Sequence, residues 1–142
     1  MHAEHASATT TTALRWGLIF GVLNAVAPLA FWWLTPSTVH AMLIALIAAV
    51  YIGFAVADGR PRVILVESIL VASFVLVAAA AVTSTAWLIV IAYAAHGAKD
   101  LWQHRHQFVR GTRWWPPFCL AVDWTVATIV AIEILAGVAF RT

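Results

Sequence analysis

Charge is scarce in this chain. Of its 142 residues only 10% are charged while 63% are hydrophobic, and the mean hydropathy is +0.92. Soluble domains run to about a quarter charged and about half apolar residues. A soluble fold of this length has nowhere to hide so much apolar surface, and that class is excluded. In a bilayer nothing needs hiding, because lipid is the solvent.

Cysteine is nearly missing too. Cys119 stands alone, so neither an intramolecular disulfide nor a CxxC redox pair can form, and the chain cannot work by itself as a thiol–disulfide oxidoreductase. Cys119 reads as a small buried apolar side chain. Lysine is reduced to Lys99 among eight basic residues, an arginine bias that, with abundant alanine, fits a GC-rich bacterial genome. The formal charge of +2 and pI of about 9.2 do not point to nucleic acid, because the arginines act as topological signals. The multi-histidine clusters of membrane di-iron oxygenases are lacking, which argues against desaturase or hydroxylase chemistry. Only His96 lies deep, which argues against a b-type haem held between two histidines. The first apolar run has no basic region before it and is too long for a secretory signal. Residues 1–12, MHAEHASATTTT, read as a disordered polar tail whose His2 and His5 could at most bind a stray metal. No internal repeat is visible.

What remains is a single domain, residues 13–142, of five runs each able to span a bilayer, which takes about 20 mainly apolar residues. Helices are expected at about 13–34, 39–57, 62–82, 85–107 and 117–140. The breaks between them carry turn chemistry at Thr35-Pro36-Ser37, Asp58-Gly59-Arg60-Pro61, Thr83-Ser84-Thr85 and Gly111 through Pro117. Five spans put Arg15, Arg60, Arg62, Lys99, Arg105, Arg110 and Arg113 on one side and only Arg141 on the other. By the positive-inside rule the first side is cytoplasmic. The chain is therefore expected to be an all-helical, multi-pass protein of the cell (inner) membrane, N-terminus cytoplasmic and C-terminus outside. Seven of its eight tryptophans fall near helix ends, as an aromatic belt requires; Trp124 lies deeper. Small residues recur along helix 2 (Ala41, Ala45, Ala49, Gly53, Ala57) and helix 1 (Gly17, Gly21, with Asn24 and Pro28 nearby). These stripes are assigned to helix packing and could equally serve a homodimer.

The polar residues are few and concentrated. In helix 4, Tyr93, His96, Gly97, Asp100, Gln103, His104 and Gln107 fall within about 120° of one another, with Trp102 opposite. Such a stripe must face protein or water. At about 1.5 Å per residue, His96 lies ~13 Å and Asp100 ~7 Å inside Arg105. On the neighbouring helices Asp123 lies ~9 Å past Pro117, Glu67 ~7 Å past Arg62 and Asn24 ~13 Å past Arg15. Asn24, Glu67, His96, Asp100 and Asp123 thus share one slab of the cytoplasmic half, in a pocket between helices 1, 3, 4 and 5. Hydrogen bonding between membrane helices is worth only ~0.6 kcal/mol per bond, a poor reason to bury three carboxylates, so a functional site is expected. Glu133, in the outer half, could extend a proton path or be a neutral carboxylic acid. His40 reads as an interfacial residue and His106 as solvated.

Three chemistries fit. The first, without a cofactor, is acid–base catalysis on a lipophilic small molecule drawn from the membrane lipid: isomerisation, cyclisation, hydration or hydrolysis. His96 and Asp100 would exchange protons, Asp123 or Glu67 would orient the histidine, and Asn24, Tyr93 and Trp124 would line the substrate. The second is a divalent metal held by Asp100 with either His96 or His104, which lie about 12 Å apart along the helix and cannot share one ion, its shell completed by Asp123 or Glu67; mixed N/O ligation suits zinc, iron or manganese. The third is a transporter, proton path or accessory subunit without catalysis.

The run HGAKDLWQHRHQFVRGTRWWPPFCLAVDWTVA resembles a pattern in small bacterial integral membrane proteins of unknown function: an HGxxD helix, a Trp-Pro-Phe-Cys turn and an aspartate on the next helix. His96, Gly97, Asp100, His104, Pro117, Phe118, Cys119 and Asp123 carry the likeness, which implies a site but no activity. By architecture alone the chain is also similar to small helical sterol isomerases, although no motif matches them.

Overall fold

The computed structural model describes residues 2–138 and residue 140, with residues 2–8 described by their backbone alone. Five α-helices make up the fold: α1 His2–Ala25, α2 Pro36–Asp58, α3 Pro61–Thr83, α4 Trp87–His106 and α5 Trp115–Leu135. No strand occurs among the described residues. Among the described residues four segments are long and apolar enough to cross a membrane: Thr9–Phe31 and helices α2, α3 and α5. α4 is the exception because its last third carries Lys99, Asp100, Gln103, His104 and Arg105.

Local chemistry sets the ends. Proline occupies the first turn of α2, α3 and α5, where its missing N–H is not needed. Thr35 Oγ1 accepts from Thr38 N at 3.2 Å and caps α2. Gly59, at φ 77°, ends that helix in the left-handed conformation. Pro28 interrupts the first apolar run, so α1 stops at Ala25 and a 3-10 turn, Ala27–Phe31, follows where a single helix to residue 34 was expected. At the other end α1 begins at His2, within the segment read as a polar tail. The side chains of His2 and His5, and Arg141 entirely, lie outside the described residues.

α4 is the hub. It packs against α5, α3 and α2, while α1 lies on the outer side of α5 and α2 pairs with α3. α1 and α5 run parallel: an added Cβ at Gly17 would meet Ala121, and one at Gly21 would fall 2.7 Å from Thr125 Cβ. The glycine stripe of α1 is thus a packing face. The small stripe of α2 is so only at its start: Ala41 is buried and Ala45 half-buried, but Ala49, Gly53 and Ala57 are exposed, and α2 buries Ile44, Ala48, Tyr51 and Ala55 on the adjacent face. Tyr51 brings a large, polar-tipped side chain to the interior, and that outweighs close backbone approach on the neighbouring face.

The α2–α3 and α4–α5 turns meet at one end of the bundle. Arg60 donates to both carboxylate oxygens of Asp58 (2.5 and 2.7 Å) and to the carbonyl of Phe108 (2.5 Å). The backbone N–H of Arg110 donates to Asp58 at 2.8 Å. The ionic contact keeps the Arg60 guanidinium above its ordinary pKa, chiefly through the hydrogen bond to Asp58.

Candidate functional site

The polar stripe of α4 is buried because α4 is surrounded. His96, Asp100 and Gln103 are 2%, 0% and 1% exposed, and they face α2, α3 and α5 rather than lipid. His96 Nδ1 lies 2.8 Å from Asp123 Oδ2 on α5 and 3.3 Å from Asp100 Oδ2 one turn along its own helix. The three residues present donor atoms that all lie within 4.8 Å of one another, a group able to hold a metal ion. Tyr51 completes the surround from α2, its hydroxyl donating to Asp100 Oδ1 at 2.5 Å. Phe74 of α3 and Tyr51 stand edge-on to the imidazole, with ring centroids at 4.8 and 5.8 Å. His96 Nε2 has no partner among the described residues, and neither has Asp123 Oδ1.

Gly97 makes this approach possible. A Cβ there would collide with the indole of Trp124, and Asp123 Cβ would sit 3.4 Å from it. With only hydrogen at Gly97, α5 closes onto α4 at the level where Asp123 reaches His96.

A second polar cluster adjoins the first. Glu67 of α3 is fully buried, accepts a hydrogen bond from Gln103 Nε2 and forms an ion pair with Lys99 Nζ at 3.0 Å. The same ammonium lies 3.2 Å from the centroid of the Tyr51 ring, an attractive cation–π geometry. Gln103 Oε1 accepts from the backbone N–H of Val109 at 3.2 Å. The two clusters therefore share Tyr51, which gives its ring to Lys99 and its hydroxyl to Asp100, and they continue to the turn after α4.

The expected site residues divide accordingly. His96, Asp100 and Asp123 come together. Glu67 stays in the interior but pairs with Lys99 rather than with the histidine. Tyr93 is buried, and its hydroxyl has no partner among the described residues. Asn24 does not join: its amide donates back to the carbonyl of Phe20 at 2.7 Å, and α1 lies behind α5. The interior expected between helices 1, 3, 4 and 5 is formed by α2, α3, α4 and α5. Trp124 is 46% exposed, lines a shallow outer groove with Leu14 and Leu18, and bonds the carbonyl of Ala94 at 3.3 Å, so it faces away from His96. His104 is half-buried, with no protein partner for Nδ1 and no place in the metal-competent group. Glu133 is half-buried ten residues beyond Asp123, ~15 Å along α5.

Tyr51 and Lys99 are the members that the residue pattern did not single out. Tyr51 is one of only two tyrosines and lies ~10 Å inside Asp58, between the depths of Asp100 and His96. The same depth reasoning that collected the carboxylates reaches it. Lys99 carries no comparable signal, because along the chain it is one more cation on the arginine-rich side.

Comparison with protein-family models, with curated proteins and with solved structures gives no match.

Proposed function

We propose that the protein is a small five-span enzyme of the cytoplasmic membrane, its arginine-rich end facing the cytoplasm, that carries out acid–base chemistry on a lipophilic substrate. The observation that carries this reading is the asymmetry of His96. Nδ1 is held by Asp123, with Asp100 beside it, while the buried Nε2 is free. A carboxylate on one ring nitrogen fixes the tautomer and leaves the other nitrogen's lone pair to take a proton. Nε2 removes a proton from one atom of the substrate, Asp123 and Asp100 face the imidazolium that forms, the Nε2 proton exchanges with water, and Nε2–H delivers a proton to a second atom. The net result of that sequence is isomerisation; delivery to an alkene followed by attack of a hydroxyl gives cyclisation or hydration. α4 can serve as the fifth span because its polar face packs on α2, α3 and α5. We take the HGxxD helix and the following aspartate to be the signature of this site.

Acid–base turnover leaves an isotopic mark. Wild-type protein incubated with a total membrane lipid extract in deuterated water should add one deuterium to one lipid class, seen by mass spectrometry. His96→Ala and Asp123→Asn should abolish it without lowering the yield of folded protein. Labelling that persists in both variants would sink the assignment.

A metal centre is the second reading, favoured by the three convergent donors. Two carboxylates and a neutral imidazole sum to a charge of −2, which one divalent zinc, iron or manganese ion would cancel. Elemental analysis of protein purified without a histidine tag separates the readings. About one ion per chain, lost in Asp123→Asn, supports the metal, whereas no bound ion leaves the free Nε2 as the working group.

A further inference from the structure

His40 turns into the bundle. It is fully buried near the start of α2, edge-on to Tyr93 (centroids 6.0 Å, 87°) and stacked on Phe140 (6.2 Å, 30°). Ser37, one turn earlier, bonds the carbonyl of Phe140 at 3.0 Å and closes that end of the bundle. For packing alone a phenylalanine would serve. Imidazole instead brings two polar nitrogens, and neither has a partner among the described residues.

The same is true of a run of buried atoms leading inward from it. Tyr93, 1% exposed, has a free hydroxyl; one turn further along α4, ~4.5 Å of rise, His96 has a free Nε2; and facing it on α5 Asp123 has a free Oδ1. Four residues from three helices each leave a polar atom unsatisfied; elsewhere among the described residues the buried His104 Nδ1 and Trp115 Nε1 also lack a partner, whereas Glu67, Lys99 and Asp100 are engaged in ion pairs. Buried polar groups are satisfied by protein or by ordered water, and a buried water needs two to four such partners. Here His40 stands against Tyr93, Tyr93 lies one turn from His96 on α4, and His96 meets Asp123.

We propose that His40 and Tyr93 hold ordered water that carries protons between the His96–Asp123 pair and the end of the bundle at Ser37 and Phe140. The chemistry balances at each step. Imidazole takes a proton on one nitrogen and releases one from the other; the Tyr93 hydroxyl accepts one proton as it donates another; neither residue is changed overall. His40 and Tyr93 are relay residues and touch no reacting atom. The route starts at the end opposite the Asp58–Arg60 turn, whereas the Lys99–Glu67–Gln103 cluster leads from the triad toward that turn. It rests on the unpaired atoms and does not depend on which reaction His96 performs.

Full-length protein labelled with 15N-histidine and placed in lipid nanodiscs gives the test by NMR. The His40 ring should show magnetisation transfer from water, and the His96 ring N–H should exchange with solvent. In His40→Phe, which keeps the aromatic stacking, and in Tyr93→Phe, which removes one oxygen, exchange at His96 should slow at least tenfold. The His96 chemical shifts should stay put, reporting an intact bond to Asp123. No water contact at His40, or unchanged His96 exchange in either folded variant, would overturn the proposal. Should His40→Phe fail to fold, Tyr93→Phe and the wild-type water contact decide it. Failure to label any lipid in deuterated water would count against the catalytic reading and leave this result untouched.

Discussion

Glu67 is the residue with the most to lose. Its carboxylate is fully buried, with one oxygen taken by Gln103 and the other 3.0 Å from the Lys99 ammonium. Breaking a buried ion pair from one side strands the other charge and costs about 3–5 kcal/mol, whereas removing both charges is often close to neutral. Lys99→Met should therefore lower unfolding stability by roughly that amount, and Lys99→Met with Glu67→Gln should recover most of it. Unfolding in mixed micelles titrated with SDS measures both; a double variant as unstable as the single would mean that the pair is not coupled. Nothing in the amino-acid order distinguishes Lys99 from the arginines around it. Depth along a helix can be counted, so Glu67, His96, Asp100 and Asp123 are legible as interior groups. Whether a long aliphatic stem turns inward toward a carboxylate or outward to the headgroups depends on neighbours from α2 and α3 that the local order does not specify.

At the scale of the element, α4 is a polar helix made tolerable by its surroundings, and its fit to α5 turns on one hydrogen atom. A Cβ at Gly97 would overlap the Trp124 ring, and the ring cannot retreat without releasing its bond to the carbonyl of Ala94. Gly97→Ala should separate the two helices enough to break the 2.8 Å contact between His96 and Asp123 while leaving helical content unchanged. The His96 ring nitrogen shifts should move toward those of Asp123→Asn, with circular dichroism as the control. Gly53→Ala, where an added Cβ meets open space, should leave both signals as they are. Native His96 shifts in Gly97→Ala would show that the packing is not what sets the site. The ends of α2 and α3 were readable from proline, glycine and threonine chemistry, since these act locally; the stops at Ala25 before Pro28 and at Leu135 before Gly137 differ from the expected ends at 34 and 140. Helix faces were less so. On α1 the glycines did mark the contact, because they let α5 approach. On α2 the small residues suggested one face while Tyr51, Ile44 and Ala48 bury the adjacent one, a choice decided by which partner supplies polar groups for a tyrosine hydroxyl.

For the molecule as a whole, the parallel run of α1 and α5 and the contact between the α2–α3 and α4–α5 turns gather Arg15, Arg60, Arg62, Arg105, Arg110 and Arg113 at one end. Apolar run lengths and this charge segregation were visible from the outset, as both follow from composition at fixed spacing. Membership of α2 in the interior in place of α1 was not, because it depends on how helices are ordered around α4. In the proposed topology this arginine-rich end faces the cytoplasm, where such side chains are retained during insertion. Cysteine labelling checks this, and the buried Cys119, 3% exposed, gives little background. In a Cys119→Ala protein, a cysteine replacing Thr83, the exposed last residue of α3, should react with an impermeant maleimide in intact cells. One replacing Arg113, exposed in the α4–α5 turn, should react only in inverted vesicles. The reverse pattern would invert the molecule and send the proton route from His40 to the cytoplasm. Labelling of both positions from one side would mean that α4 does not cross, leaving four spans and a polar helix seated within them.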